Sequence, residues 1–157
     1  MSEPFPSAPD FQLVDTHRYP VALSTFRGRA NVMLVFNRGL ACPFCRRHLA
    51  QLRREIEAFE GRQVVILVID PDRPEQIQEY WEREQFPFPG FSDSENYVAS
   101  LFHQNVDIYS GGRLPSVILV DREGRIRYRY DGASAPDIPS IETLLTELDR
   151  INQEPSA

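Results

Sequence analysis

The most constraining feature of this chain is a βαβ pattern built around its only two cysteines, Cys42 and Cys45. The apolar run at residues 31–36 has the composition of a strand, and the residues after the cysteines return apolar side chains to one face at helical spacing. A second apolar run at residues 64–69 is typical of a strand buried on both faces. The pattern predicts two parallel core strands joined by a right-handed crossover, with the cysteines opening the helix.

The two cysteines stand three positions apart at the predicted helix start. The first turn of a helix carries unpaired backbone N–H groups and the positive end of the macrodipole, which favour a thiolate over a thiol. Arg46, Arg47 and Arg38 add positive charge, and such surroundings lower a cysteine pKa. Either cysteine can also resolve a sulfenic acid or mixed disulfide formed on the other. The stretch therefore predicts a redox-active dithiol.

Other uses of a cysteine pair fit this sequence less well. A structural zinc site needs four ligands, but the chain has no third cysteine and its histidines, His17, His48 and His103, are scattered. A c-type haem requires His directly after the second cysteine, where Arg46 stands. We therefore expect no metal and no cofactor. A buried pair without chemistry stays as an alternative, although polar neighbours argue against it.

Composition narrows the class of protein. A length of 157 residues with 41% hydrophobic content fits one domain, expected over residues 3–152 with flexible ends at 1–6 and 153–157. The formal net charge is −6, so we expect no nucleic-acid partner. The sequence shows neither a signal-peptide pattern nor an apolar run long enough to span a membrane. We therefore expect a cytoplasmic protein. In the reducing cytosol a Cys-x-x-Cys pair is more readily catalytic than structural.

The remaining elements predict an α/β fold. Residues 11–14 and 21–24 are expected to form an N-terminal hairpin, residues 75–85 and 97–102 helices, residues 116–121 and 125–130 strands, and residues 139–151 the last helix. Residues 86–91 cannot be regular because two prolines fix their backbone, and residues 110–113 are expected to be a flexible loop. Asp70 and Asp72 follow the second core strand, and we expect them to cap the next helix.

Three stretches resemble the alkyl hydroperoxide reductase/thiol-specific antioxidant family, the peroxiredoxin branch of the thioredoxin fold. Residues 8–13 are similar to the family's opening strand, residues 32–36 with the cysteine loop to its active-site strand and helix, and residues 89–102 to its later loop and helix. The resemblance covers nearly the whole chain. It implies a thioredoxin-like fold, with a central mixed sheet flanked by helices and an N-terminal β-hairpin extension, and an antioxidant thiol oxidoreductase.

The cysteine loop departs from the family's pattern Pro-x-x-x-Thr-x-x-Cys. The resemblance places the peroxide-reactive cysteine at Cys45, the Thr at Cys42 and the Pro at Arg38. The family's peroxide-binding arginine falls at about Pro115, so Arg38 or Arg113 is expected to substitute for it. The chain thus resembles a Cys-x-x-Cys subgroup of the family.

Further residues are assigned to substrate binding by resemblance. Pro115 is similar to the cis-proline that faces the cysteines in thioredoxin-like folds, where the backbone of the preceding residue, here Leu114, touches the substrate. Pro43 and Phe44 resemble the middle of the glutaredoxin Cys-Pro-Tyr-Cys motif, which indicates a mid-range potential. Arg46 completes the predicted supporting residues.

Two mechanisms share the predicted dithiol/disulfide cycle. In the first, Cys45 attacks a hydroperoxide and Cys42 resolves its sulfenic acid; in the alternative, Cys42 attacks a substrate disulfide and Cys45 releases the mixed intermediate. A further alternative is a non-catalytic module that binds a partner through residues 86–91 and 110–113. The expected partners are a hydroperoxide or disulfide substrate and a thioredoxin- or glutathione-type reductant, with a homodimer left open as an assembly.

Overall fold

The computed structural model of this chain describes residues 5–107 and 112–155. The strands are β1 (Gln12–Val14), β2 (Pro20–Ala22), β3 (Asn31–Phe36), β4 (Val64–Asp70), β5 (Gly90–Ser92), β6 (Val106–Asp107), β7 (Gly112–Arg113), β8 (Ser116–Val120) and β9 (Ile126–Asp131). The helices are α1 (Pro43–Arg54), α2 (Ile56–Glu60), α3 (Pro74–Glu84), α4 (Tyr97–Leu101) and α5 (Ile141–Gln153). Residues 110 and 111 of the predicted loop and the outermost residues of both predicted ends lie outside the described residues.

Five strands form the central sheet in the order β5-β4-β3-β8-β9. In its middle, β3 pairs parallel with β4 and antiparallel with β8, which confirms a mixed sheet and the predicted βαβ unit. Alternate residues of a strand face opposite sides; accordingly Met33 packs among the residues of α1, α3 and α5, and Leu34 among those of α4 and the N-terminal segment. Both faces of β3 are covered, so every residue of this strand is buried.

The predicted N-terminal hairpin is present, since β1 and β2 pair antiparallel. Its second strand is shorter than expected, because residues 23–26 turn into a short 3-10 helix that buries Leu23. The helix predicted to begin at the cysteines is present as two helices, α1 and α2, which are divided at Glu55. No helix among the described residues is both long and apolar enough to cross a bilayer.

Two segments expected to be irregular contain short strands. Gly90 and Phe91 belong to β5, which pairs parallel with β4 because the prolines precede the strand and leave its ladder free. Gly112 and Arg113 pair with β6 as a small antiparallel ladder. The prediction of a flexible loop is therefore wrong for these last two residues.

The aromatic residues at 86–91 pack inward. The rings of Phe86 and Phe88 stack with centroids 5.2 Å apart, and Phe86 lies edge-on to Trp81 at 5.0 Å. Phe88 and Phe91 are only 4% and 0% exposed. The partner surface that the binding-module hypothesis placed here is therefore part of the core.

Gly90→Ala is expected to lower the free energy of unfolding by about 1.5 kcal/mol, the usual cost of overpacking a well-filled core. An added β-carbon would lie within 2.5 Å of Cζ2 of the Trp81 ring. Urea denaturation measures the change. Gly61→Ala is the matched control, because its β-carbon would approach the Glu57 carbonyl oxygen only to 3.3 Å; equal losses in both variants would contradict the prediction.

Candidate active site

The cysteine pair lies where β3 leads into α1. Cys42 is the N-cap residue of α1 and Cys45 lies in its first turn, as predicted. Both thiols are free and buried, with Cys42 4% and Cys45 1% exposed. Pro43 and Phe44 between them are exposed. The dithiol is therefore covered, and these two residues form the solvent-facing part of the helix start.

The pKa of Cys45 is raised to about 12, chiefly by burial and in smaller part by the adjacent Cys42 thiol. The backbone N–H of Arg38 donates to the Cys45 sulfur at 3.3 Å and lowers the pKa, but does not offset the burial. Arg46 and Arg47 are exposed, so solvent screens their charge. The predicted low pKa is thus wrong for Cys45 in the reduced protein, because desolvation outweighs the helix terminus.

The two arginines expected to bind peroxide differ in their partners. Arg113, whose side chain is 10% exposed, contacts Asp93, with one guanidinium nitrogen 3.2 Å from the Asp93 carbonyl and the other 3.8 Å from its carboxylate. Arg38 lies over Gly112, where an added β-carbon would be 3.2 Å from its Nε. That Nε is buried and has no hydrogen-bond partner among the described residues. Arg113 Nη1 is likewise buried without a hydrogen-bond partner, but it lies 3.8 Å from the Asp93 carboxylate. Of the two, Arg38 is therefore the arginine without an acidic partner among the described residues, and its guanidinium is the better candidate to bind a substrate.

Two acidic residues support the cysteine loop from behind. Asp70 ends β4 and is completely buried; its Oδ2 accepts from the Asn37 side chain at 3.3 Å and its Oδ1 from the Asp72 N–H at 2.8 Å. Asp72 in turn accepts the Leu40 N–H at 2.7 Å. The expected capping role is wrong, since Arg73 is the N-cap residue of α3. Instead, the side chains of Asp70 and Asp72 hydrogen-bond to residues 37–40, which lead from β3 to the cysteines. They can do so because β3 and β4 are parallel, so their C-terminal ends lie at the same edge of the sheet.

Burial also sets the protonation of Asp70. It raises the pKa of this carboxyl to about 8, with the neighbouring Asp72 carboxyl as the next cause. His48, one turn after Cys45, is likewise buried, and burial lowers its pKa to about 4. Both side chains are therefore uncharged at neutral pH. Their positions in the sequence gave no signal of this, because burial of a charged residue type depends on tertiary packing.

The segment around Pro115 does not have the backbone conformation that the resemblance predicts. The Leu114–Pro115 bond is trans, as are the peptide bonds throughout the described residues. The expected cis-proline is therefore wrong: Leu114 N–H donates to the Asn105 carbonyl and the Pro115 carbonyl accepts from Gly132, so the chain runs extended into β8. Register places Ser116 opposite Phe36, so Pro115 does lie beside the start of the cysteine loop.

Gln104 is a further site residue, for which the sequence carries no signal. Its side-chain amide donates to the Leu114 carbonyl at 2.8 Å and reaches the Asn37 carbonyl at 3.4 Å. It thus joins Leu114 to the end of β3.

The described part of the chain contains no metal-binding cluster. Within residues 5–107 and 112–155, the His, Cys, Asp and Glu side chains form no group of three that could hold a metal ion.

Solved peroxiredoxin structures share this fold. The peroxidoxin BcpB of Mycobacterium tuberculosis superposes with a TM-score of 0.82 over 96% of this chain and 99% of that chain, at 19% identity. Peroxiredoxin Q of Xanthomonas campestris gives a TM-score of 0.78 over 89% of this chain and 90% of that chain, at 16% identity. The predicted thioredoxin-like fold is confirmed.

Sequence relatives agree with the fold. Alkyl hydroperoxide reductase E of Mycobacterium tuberculosis is 31% identical over 127 residues, which cover 78% of this chain and 80% of the relative. Peroxiredoxin Bcp of Bacillus subtilis is 28% identical over 124 residues, covering 76% and 78%. The AhpC/TSA family model matches residues 6–129, which include both cysteines. As the resemblance predicted, the chain belongs to the AhpC/TSA family, the peroxiredoxins, whose thiol chemistry reduces hydroperoxides.

Proposed function

We propose that this peroxiredoxin works through a Cys42–Cys45 dithiol/disulfide cycle in which Cys45 reacts with the hydroperoxide. The observation that carries the proposal is the arrangement of the two thiols. They stand at the start of the same helix, close enough for the Cys42 thiol to act on the pKa of Cys45, and the sulfur of Cys45 accepts the Arg38 N–H. Cys45 thus has both a backbone donor to steady a developing thiolate and a second thiol beside it.

The proposed first step is attack of the Cys45 sulfur on the terminal oxygen of the hydroperoxide. An S–O bond forms and the O–O bond breaks; the thiol proton passes to the leaving oxygen, so the products are a sulfenic acid and an alcohol, or water. Cys42 then attacks the Cys45 sulfur. The S–S bond forms, the S–O bond breaks and water leaves. The dithiol is oxidised by two electrons and the peroxide is reduced by two.

Return to the dithiol takes two electrons and two protons, for which we propose a thioredoxin- or glutathione-type thiol. A reducing cytoplasmic setting fits this cycle, because both cysteines must return to thiols after every turnover. The homodimer stays a prediction.

The burial of both sulfurs favours peroxide over a disulfide as the substrate. A thiol that attacks a protein disulfide must reach a bulky partner, whereas Cys42 and Cys45 are 4% and 1% exposed. Thiol loss in the reduced protein, followed by stopped flow against hydrogen peroxide and oxidised glutathione in parallel, tests the proposal. Faster loss with peroxide supports it, and faster loss with the disulfide supports the reductase alternative.

Arg38→Met is expected to slow oxidation of Cys45 by hydrogen peroxide about 10- to 100-fold, because it removes a preorganised donor from the transition state. The substitution keeps the backbone N–H that contacts the sulfur. Stopped-flow rates under single-turnover conditions measure the effect. Arg54→Met is the matched control, since Arg54 is exposed at the far end of α1; a rate for Arg38→Met equal to that of this control would remove Arg38 from the mechanism.

A further inference from the structure

We infer that Asp70 is a positioning residue for Cys45, because its buried carboxyl group holds Asn37 and thereby the Asn37–Arg38 peptide group that contacts the reacting sulfur. The inference rests on the proposed role of Cys45. The path is short: the Asn37 amide donates to Asp70 Oδ2 at 3.3 Å, and the N–H of the next residue, Arg38, donates to the Cys45 sulfur at 3.3 Å.

The other end of the same loop is held by the neighbouring acid. Leu40 N–H donates to Asp72 Oδ2 at 2.7 Å, and the Asp72 N–H donates to Asp70 Oδ1 at 2.8 Å. The main chain of Asn37 is fixed as well, through its N–H on the Ile69 carbonyl at 2.9 Å. Asp70 and Asp72 therefore clamp residues 37–40 at both ends, directly before the helix that carries the dithiol.

This acid pair is itself fixed to the sheet edge. The Asp70 carbonyl accepts the Asp93 N–H at 2.8 Å, and the Ser92 hydroxyl donates to the Asp72 carbonyl at 2.6 Å. Asp93 is buried and accepts two N–H groups of α4, from Val98 and Ala99. The clamp is therefore attached to ordered elements on both sides, as a positioning device requires.

The charges around Asp70 make its protonation state matter. Asp72 faces it from its own loop, Asp93 lies beside it at the end of β5, and Arg113 of β7 is close enough to interact with both Asp70 and Asp93. Because burial and Asp72 raise the pKa of Asp70 to about 8, the group is a neutral acid at pH 7. Ionisation would place a buried negative charge behind a sulfur that must itself become anionic, which opposes the reaction.

The test measures Cys45 alone, in a Cys42→Ser background, with Asp70→Asn and Asp70→Ala added separately. Rates of oxidation by hydrogen peroxide and of alkylation by iodoacetamide are followed from about pH 6 to about pH 9. In the parent, the rise of both rates with pH is expected to flatten near about pH 8, where Asp70 ionises. Asp70→Asn should remove the flattening, since the amide keeps the shape of the neutral acid and cannot ionise.

Asp70→Ala is expected to lower both rates about 10-fold at low pH, because Asn37 loses its partner, and Asp70→Asn should restore most of that loss. Glu142→Gln, at an exposed position in the first turn of α5, is the control and should keep the flattening. The inference is overturned if Asp70→Asn retains the parent's pH profile, a result that decides even where the alanine variant does not fold. A parent that alkylates but does not react with peroxide would refute the proposed function instead.

Discussion

Cys45→Ser is expected to abolish peroxide consumption, with a loss of at least about 1,000-fold in rate, the scale seen when an enzyme loses its nucleophile. Serine cannot replace the thiol, because the reaction needs sulfur to accept the oxygen. Cys42→Ser is expected to consume one equivalent of hydrogen peroxide and then stop, since the sulfenic acid on Cys45 has no internal thiol to resolve it. Peroxide loss in a single-turnover assay without reductant measures both.

The two variants are each other's control, because they remove one sulfur each from the same helical turn. Adding excess dithiothreitol should restore turnover to Cys42→Ser, by resolving the sulfenic acid from outside, and should leave Cys45→Ser inactive. The reversed pattern, with the single equivalent consumed by Cys45→Ser, would assign the attack to Cys42. That result would contradict the order of steps proposed above, with Cys42 as the peroxide-reactive thiol and Cys45 as the resolving one.

Local pattern was enough to predict the elements that place the dithiol. The strand predicted at residues 31–36 is β3 without any change in its ends, because a continuous apolar run is typical of a strand that is buried on both faces. The run at residues 64–69 is β4, longer by Asp70 alone. Two parallel strands need a crossover between them, and Cys42 and Cys45 directly follow the first strand. Their position at the start of the crossover helix could therefore be predicted.

What the sequence did not predict is the environment of each ionisable group. The arginines beside Cys45 suggested a low pKa, yet Arg46 points to solvent and the sulfur is buried, so desolvation decides the direction. Asp70 looked like a helix cap because it precedes a helix, but it is completely enclosed by residues distant in sequence, Asn37 among them. The contact between Asn37 and Asp70 spans 33 positions of the chain, a separation that no short sequence pattern encodes.

The stability of the wild-type protein is expected to fall as pH rises toward about 8, and Asp70→Asn should remove that fall. The pKa of Asp70 is raised from 3.8 to about 8 on folding. At a pH between these two pKa values the folded protein keeps a proton that the unfolded chain releases. The stabilisation by Asp70 is therefore complete below pH 3.8 and is lost as the pH rises through about 8. The full window corresponds to on the order of 6 kcal/mol, since each pKa unit is worth about 1.4 kcal/mol.

The measurement is best confined to about pH 6.5 to about pH 8.5, where roughly 2 kcal/mol of this loss should appear in the free energy of unfolding from urea titrations. Below this range the lowered pKa of His48 acts in the opposite direction, since the unfolded chain then binds the extra proton. Above it the raised pKa of Cys45 adds a second loss of the same sign. If Asp70→Asn declined as steeply as wild type within the window, the proton would lie on another group, and the flattening of the Cys45 rate would need a different origin.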